Sequence, residues 1–221
     1  MRFKTLATAA IGAAFAVALP AQAATITTLP FWNNVASINA WGGLATNTYG
    51  EVLDAAGSSL TSFTFQVNNK NRSANYVAEV YAWSGNTTSG GQVGPALYTS
   101  AAAVMPALAG FQAVTINTGG VAVTAGQRYA ILLYDNSGDG VSGTWGLIAP
   151  FYSHPGVLGD VGFFFNNGPS NSNGTFSDFG SLAYSATFTG GVPEAGTWVM
   201  MIVGFGLVGA NARRRKGAVP A

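Results

Sequence analysis

In the stretch SFTFQV, Phe63, Phe65 and Val67 alternate with Ser62, Thr64 and Gln66. A period of two gives an extended chain one dry face and one wet face. The same texture fills the chain from Ala24 to Gly191: short runs rich in Val, Ile, Thr, Phe and Tyr between clusters of Gly, Asn and Ser. No long stretch there carries the 3.6-residue repeat of an amphipathic helix. The pattern predicts strands at Ser59–Val67, Asn75–Trp83, Phe111–Asn117 and Gln127–Asp135, with further strands at Thr48–Leu53, Ala96–Ser100, Gly143–Ile148, Asp160–Asn166 and Ser181–Thr189. Some nine strands at these intervals predict an all-β fold, a two-sheet β-sandwich of jelly-roll type, with a closed barrel as its structural rival. The run Tyr129–Tyr134 is apolar on both sides, which predicts a central strand covered on both faces. GGQVGP (Gly90–Pro95) and NNGPSNSNGTFSD (Asn166–Asp178) read as loops.

The two ends break this pattern. The first begins with Arg2 and Lys4, runs apolar from Leu6 to Leu19 and offers Ala21-Gln22-Ala23. A charged start, a short apolar run and a small-residue exit predict a secretory signal peptide over residues 1–23, cut by signal peptidase so that the mature chain starts at Ala24. At the other end, sixteen uncharged residues from Thr197 (TWVMMIVGFGLVGANA) lead into Arg213, Arg214, Arg215 and Lys216. As a helix this run spans about 24 Å, near the short limit for crossing a bilayer core of about 30 Å. A single transmembrane helix over 197–212 is expected, with Trp198 at the outer interface and the basic tail in the cytoplasm. That leaves residues 24–191 as the ectodomain. Within the run, GFGLVG (Gly204–Gly209) spells G-x-G-x-x-G, but no acidic residue follows it and the chain before it is continuous with the apolar helix pattern. Its glycines read as small residues of a membrane helix, and no nucleotide is expected.

Val192, Pro193 and Glu194, the apolar run with Trp198, and the cluster Arg213, Arg214 and Arg215 form three ordered parts. Together they resemble the PEP-CTERM sorting signal, with Ala195 standing where that signal usually has a second proline. The resemblance implies that an exosortase of a Gram-negative bacterium recognises the Pro-Glu element and cuts near it. The inner membrane is then a transient station before the cell surface or the extracellular matrix. It also implies an association with exopolysaccharide and biofilm. LTSFTF, VYAWSG with GPALYTS, and VTINTGGVAVTAGQRYAILL are similar to stretches of the jelly-roll ectodomains that such proteins carry.

Charge narrows the partners. The formal net charge of +1 conceals an acidic middle: between Ala24 and Val192 the bases are Lys70, Arg72 and Arg128, against seven acids. A nucleic-acid partner, which needs a clustered basic face, is not expected. The chain has no cysteine, which excludes disulfides, thiolate metal sites and cysteine nucleophiles.

Candidate chemistry is sparse. Asp135, Ser137 and Asp139 stand at positions one, three and five of DNSGDG, the spacing of oxygen ligands in calcium loops, but position twelve is Gly146 rather than a bidentate Glu. A polar hairpin loop explains them as well, and no cofactor beyond a structural Ca²⁺ is considered. The one histidine, His154, has no nucleophile elbow to serve, so no catalytic residues are assigned. In NYVAEVYAW, Glu79, Tyr81 and Trp83 share one strand face while Tyr76, Ala78, Val80 and Ala82 share the other. If the second face is core, the first offers two aromatics and a carboxylate to sugar rings. The expectation is an exported, non-enzymatic surface or matrix protein, with a carbohydrate-binding module as the alternative and a polysaccharide-degrading enzyme as the third reading.

Overall fold

The computed structural model describes residues 23–42, 46–70, 72–85, 90–136, 143–147, 155–166, 180–190, 202, 204 and 205. Twelve strands occur among them: β1 (Ala24–Thr27), β2 (Ser37–Trp41), β3 (Thr48–Asp54), β4 (Ser59–Asn68), β5 (Ala74–Ser84), β6 (Gly91–Thr99), β7 (Ala103–Met105), β8 (Gln112–Ala122), β9 (Arg128–Asp135), β10 (Gly143–Gly146), β11 (Asp160–Asn166) and β12 (Tyr184–Thr189). A single 3-10 turn, Leu29–Phe31 with Pro30 inside it, follows β1.

The strands form two antiparallel sheets. Sheet A has the order β1-β12-β4-β10-β2, with β8 on the other edge of β4, and sheet B has the order β11-β3-β9-β5-β6, with β7 extending the β6 edge of β5. From β3 to β5, and again from β8 to β12, each successive strand crosses to the opposite sheet. The result is the all-β, two-sheet sandwich that the alternation predicts.

Three strands escape the sequence pattern. β1, β2 and β7 have four, five and three residues, and each sits at a sheet edge, paired with one neighbour. β6 runs from Gly91 through Gly94 and Pro95, which the sequence marks as a loop. It pairs on one side only, with β5, and its register slips between Val80 and Ala82. An edge strand tolerates proline because one row of its amides has no ladder to supply, and Gly94 takes a φ of +72° at the slip.

The core between the sheets is aromatic. Phe63, Phe65 and Val67 of β4 point inward as their alternation requires, packing with Trp41, Tyr49, Trp145, Phe163, Tyr184 and Phe188. Trp145 is the hub, with ring centroids 4.8 Å from Phe65, 5.5 Å from Tyr49 and 5.6 Å from Trp41. Gly146 must lack a side chain here, since a Cβ would stand 2.9 Å from Ala183 and from Trp32. β9 lies between β3 and β5 and is buried on both faces. Tyr129, Ile131 and Leu133 enter the inter-sheet core, and Ala130 and Leu132 join a second cluster with Val52, Tyr81, Trp83 and Phe164 on the outer side of sheet B.

Candidate functional site

One end of the sandwich gathers the features that bear on function. Antiparallel pairing sets Ala24 opposite Phe188, Ser59 opposite both Thr189 and Ala122, Asp54 opposite Arg128, and Ser84 opposite Gly91. The start of β1, the end of β12 and three inter-strand turns therefore share this end. The turns are tied together: Ala55 donates to the Gln127 carbonyl at 2.9 Å, Gly126 to the Ala55 carbonyl at 2.8 Å, and Ser58 to the Thr189 carbonyl at 3.0 Å.

Between these turns lies a cleft of about 380 Å³ with Asp54, Trp83, Ser84, Gln127 and Arg128 among its walls. The Arg128 Nε donates to Asp54 Oδ1 at 3.0 Å, and its Nη1 donates to the Gly85 carbonyl. With side chains 33% and 38% exposed, this pair adds little to stability, but it fixes a donor and an acceptor side by side at the cleft wall. A second, more apolar groove of about 330 Å³ shares Asp54 and Gly126 and is lined by Ile26 and Leu158.

The alternation in β5 is as the sequence predicts: Ala78 and Val80 face the inter-sheet core, and Glu79, Tyr81 and Trp83 face outward from sheet B. The expectation of an open face does not hold, because these three residues are only 6%, 6% and 7% exposed. They belong to an apolar cluster on this side of sheet B, with Val52, Ala130, Leu132 and Phe164 almost fully buried around them. Trp83 packs on Phe164 at a centroid distance of 4.9 Å and a tilt of 33°, so its ring face is taken by a neighbour. Glu79 accepts the Tyr81 hydroxyl at 2.9 Å on Oε2 and the Thr99 hydroxyl at 3.3 Å on Oε1. Burial pushes its carboxyl above the ordinary range, while the two hydroxyls pull the other way. Burial and the Glu79 carboxylate together raise the Tyr81 hydroxyl.

Asp135 closes β9 and is buried, its amide donating to the Asn47 carbonyl at 2.8 Å. Ser137 and Asp139, its expected partners around a calcium ion, lie outside the described residues, as do His154, residues 1–22 of the signal segment, and Val192, Pro193, Glu194, Ala195, Trp198, Arg213, Arg214 and Arg215 of the sorting segment. Of the expected membrane helix only Ile202, Gly204 and Phe205 are described, and they are helical. No helix among the described residues is long and apolar enough to cross a membrane.

The sequence reading missed one acidic residue that the structure makes prominent. Glu51 stands on the core face of β3 between Tyr49 and Leu53, fully buried. The signal was present in the alternation of TYGEVLD, which puts Glu51 on the same face as two large core residues.

Comparison with known proteins bears on the tail. Residues 191–216 match the PEP-CTERM protein-sorting motif, so the all-β domain carries a C-terminal sorting signal. The motif indicates an exported, extracellular protein processed by exosortase. No curated protein matches the chain. Among solved structures, a similar chain is that of "The crystal structure of the cysteine protease and lectin-like domains of Cwp84, a surface layer associated protein of Clostridium difficile", at 12% identity and a TM-score of 0.41. The likeness covers 67% of this chain and 32% of that one, so this chain spans about a third of the length of that structure.

Proposed function

We propose that this is a non-enzymatic surface or matrix domain, exported by a signal peptide over residues 1–23, sorted through its C-terminal segment, and associated with extracellular polysaccharide. The observation that carries this reading is the junction of domain and motif: β12 ends at Thr189, and the sorting motif begins at residue 191. The folded body is thus the cargo of the motif.

The polysaccharide contact belongs to the cleft beside Asp54 and Arg128 rather than to the outer face of β5. A carboxylate, a guanidinium and Gln127 around one concavity offer acceptors and donors of the kind that sugar hydroxyls need. Trp83 lies in the cleft wall and belongs to the same outer cluster as Tyr81, whose hydroxyl is held by Glu79. A carbohydrate-binding module is the sharper form of the same reading.

The test is electrophoresis of the purified full chain, in mild detergent, through gels containing exopolysaccharide from the producing cells. Retardation that disappears in the Gln127→Ala/Arg128→Ala double variant supports the cleft. Unchanged mobility removes the polysaccharide contact, and release of reducing sugar by the wild-type chain replaces a binding protein with an enzyme.

A further inference from the structure

Glu51 points from β3 into the space between the two sheets. Its Oε2 accepts the Leu182 amide at 2.9 Å, just ahead of β12 in the opposite sheet. Its Oε1 is buried and has no hydrogen bond of normal geometry, although the Gly162 amide of β11 is close enough to pull on the carboxyl. The carboxyl of Asp160, at the start of β11, lies close enough to act on the Glu51 carboxyl. Asp160 is already an acceptor on both oxygens, taking the Tyr184 hydroxyl on Oδ1 at 3.1 Å and the Ser181 hydroxyl on Oδ2 at 2.5 Å. Two carboxyl groups therefore lie side by side, and the Leu182 amide and the Ser181 and Tyr184 hydroxyls around them are donors. Two acceptors cannot bond without a hydrogen between them, and two buried carboxylates side by side, with amides and hydroxyls but no cation described around them, are costly to keep charged. One proton on Glu51 Oε1 resolves both difficulties at once.

We propose that Glu51 and Asp160 share a single proton, with Glu51 as the neutral acid donating to Asp160, and that this pair is a latch between the sheets that closes in acid and opens in alkali. The latch joins β3 and β11 of sheet B to the Ser181–Tyr184 segment of sheet A. It thereby grips the chain that runs into β12, the strand whose end leads to the sorting motif.

The surroundings favour the neutral acid. Burial first, and then the charge of Asp160, push the Glu51 carboxyl well above the carboxylate range, against the pull of the Leu182 and Gly162 amides. Tyr184 is raised by its own burial and by Asp160, Glu51 and Asp54, so it stays a hydroxyl donor. β9 brings only Ile131 opposite Glu51, and Asp54, further along β3, is paired with Arg128. Among the described residues no cation faces Glu51.

A group whose pKa is raised by folding contributes stability that is complete below its unfolded value and lost as pH climbs to its folded value. The folding equilibrium constant of the full chain, measured in mild detergent, should fall up to tenfold per pH unit from about pH 4.3 until Glu51 ionises in the folded state. Glu51→Gln keeps an acceptor for Leu182 and a donor for Asp160, and should abolish that fall. Infrared spectroscopy reads the proton directly. The wild-type chain should show the carbonyl band of a buried, protonated carboxylic acid at neutral pH. That band should vanish in Glu51→Gln, or in alkali if that variant does not fold. The proposal is overturned by absence of the band, by stability independent of pH, or by Ca²⁺ raising the melting temperature of the wild type but not of Glu51→Gln, which would make the pair a cation site.

Discussion

The two faces of sheet B each bury a glutamate, and they accommodate it in opposite ways. On the outer side, Glu79 lies near the β6 edge, where hydroxyls from Tyr81 and Thr99 reach both of its oxygens. On the inner side, Glu51 lies between the sheets, with one oxygen on a backbone amide, the other without a hydrogen bond of normal geometry, and a second acid close by. An edge supplies flexible donors that let a carboxylate keep its charge, whereas the inter-sheet core supplies fixed groups that leave protonation as the remedy. Both faces of sheet B bury apolar side chains, and on the inner one hydrogen bonds from Leu182 to Glu51 and from Ser181 and Tyr184 to Asp160 tie the sheet to the chain entering β12.

The difference between the faces can be measured. The largest effect should come from Trp145→Ala, which removes the hub of the inner face and should cost about 3–5 kcal/mol in chemical denaturation. Trp83→Ala on the outer face should cost less; an equal loss would mean that the outer cluster is a core of the same rank. Next comes Gly50→Ala. Its Cβ would stand 2.5 Å from two ring carbons of Phe164 and 2.7 Å from the Ile131 carbonyl oxygen, so overpacking should cost about 1–3 kcal/mol. A neutral result would show that Phe164 is free to swing aside. Glu79→Gln should be milder, about 1 kcal/mol for altered hydrogen bonds to two hydroxyls, and should remove less of the pH dependence than Glu51→Gln does. Smallest is Arg128→Ala, where loss of a pair about one third exposed should change stability by less than about 1 kcal/mol. Its mobility in polysaccharide gels should nevertheless rise toward that of the unretarded chain, which separates binding from folding.

How much of this the sequence carried depended on length and on edges. β4, β5, β9 and β11 were readable because seven or more residues keep a period of two or an unbroken apolar run. The same periodicity sorted the two faces of β5 correctly. It could not say that the outward face is covered, because burial of a second face is a property of packing and not of one strand's pattern. Gly94 and Pro95 read as a break since local propensity has no knowledge of a sheet edge. Glu51 and Asp160 are 109 residues apart in the chain, so nothing local marks them as partners. Asp54 and Arg128 were likewise brought together only by the register of β3 on β9.

The register of β1 on β12 places Ala24 beside Phe188, so the body begins and ends at one point. A short Gly-Ser bridge between Ala24 and Gly190 would close the backbone into a ring, and new ends could be opened at the Asn69–Ser73 turn, beyond the far ends of β4 and β5. A passenger peptide grafted at that turn in the native connectivity would be held at the pole opposite Ala24 and Gly190, the end at which the described body starts and stops.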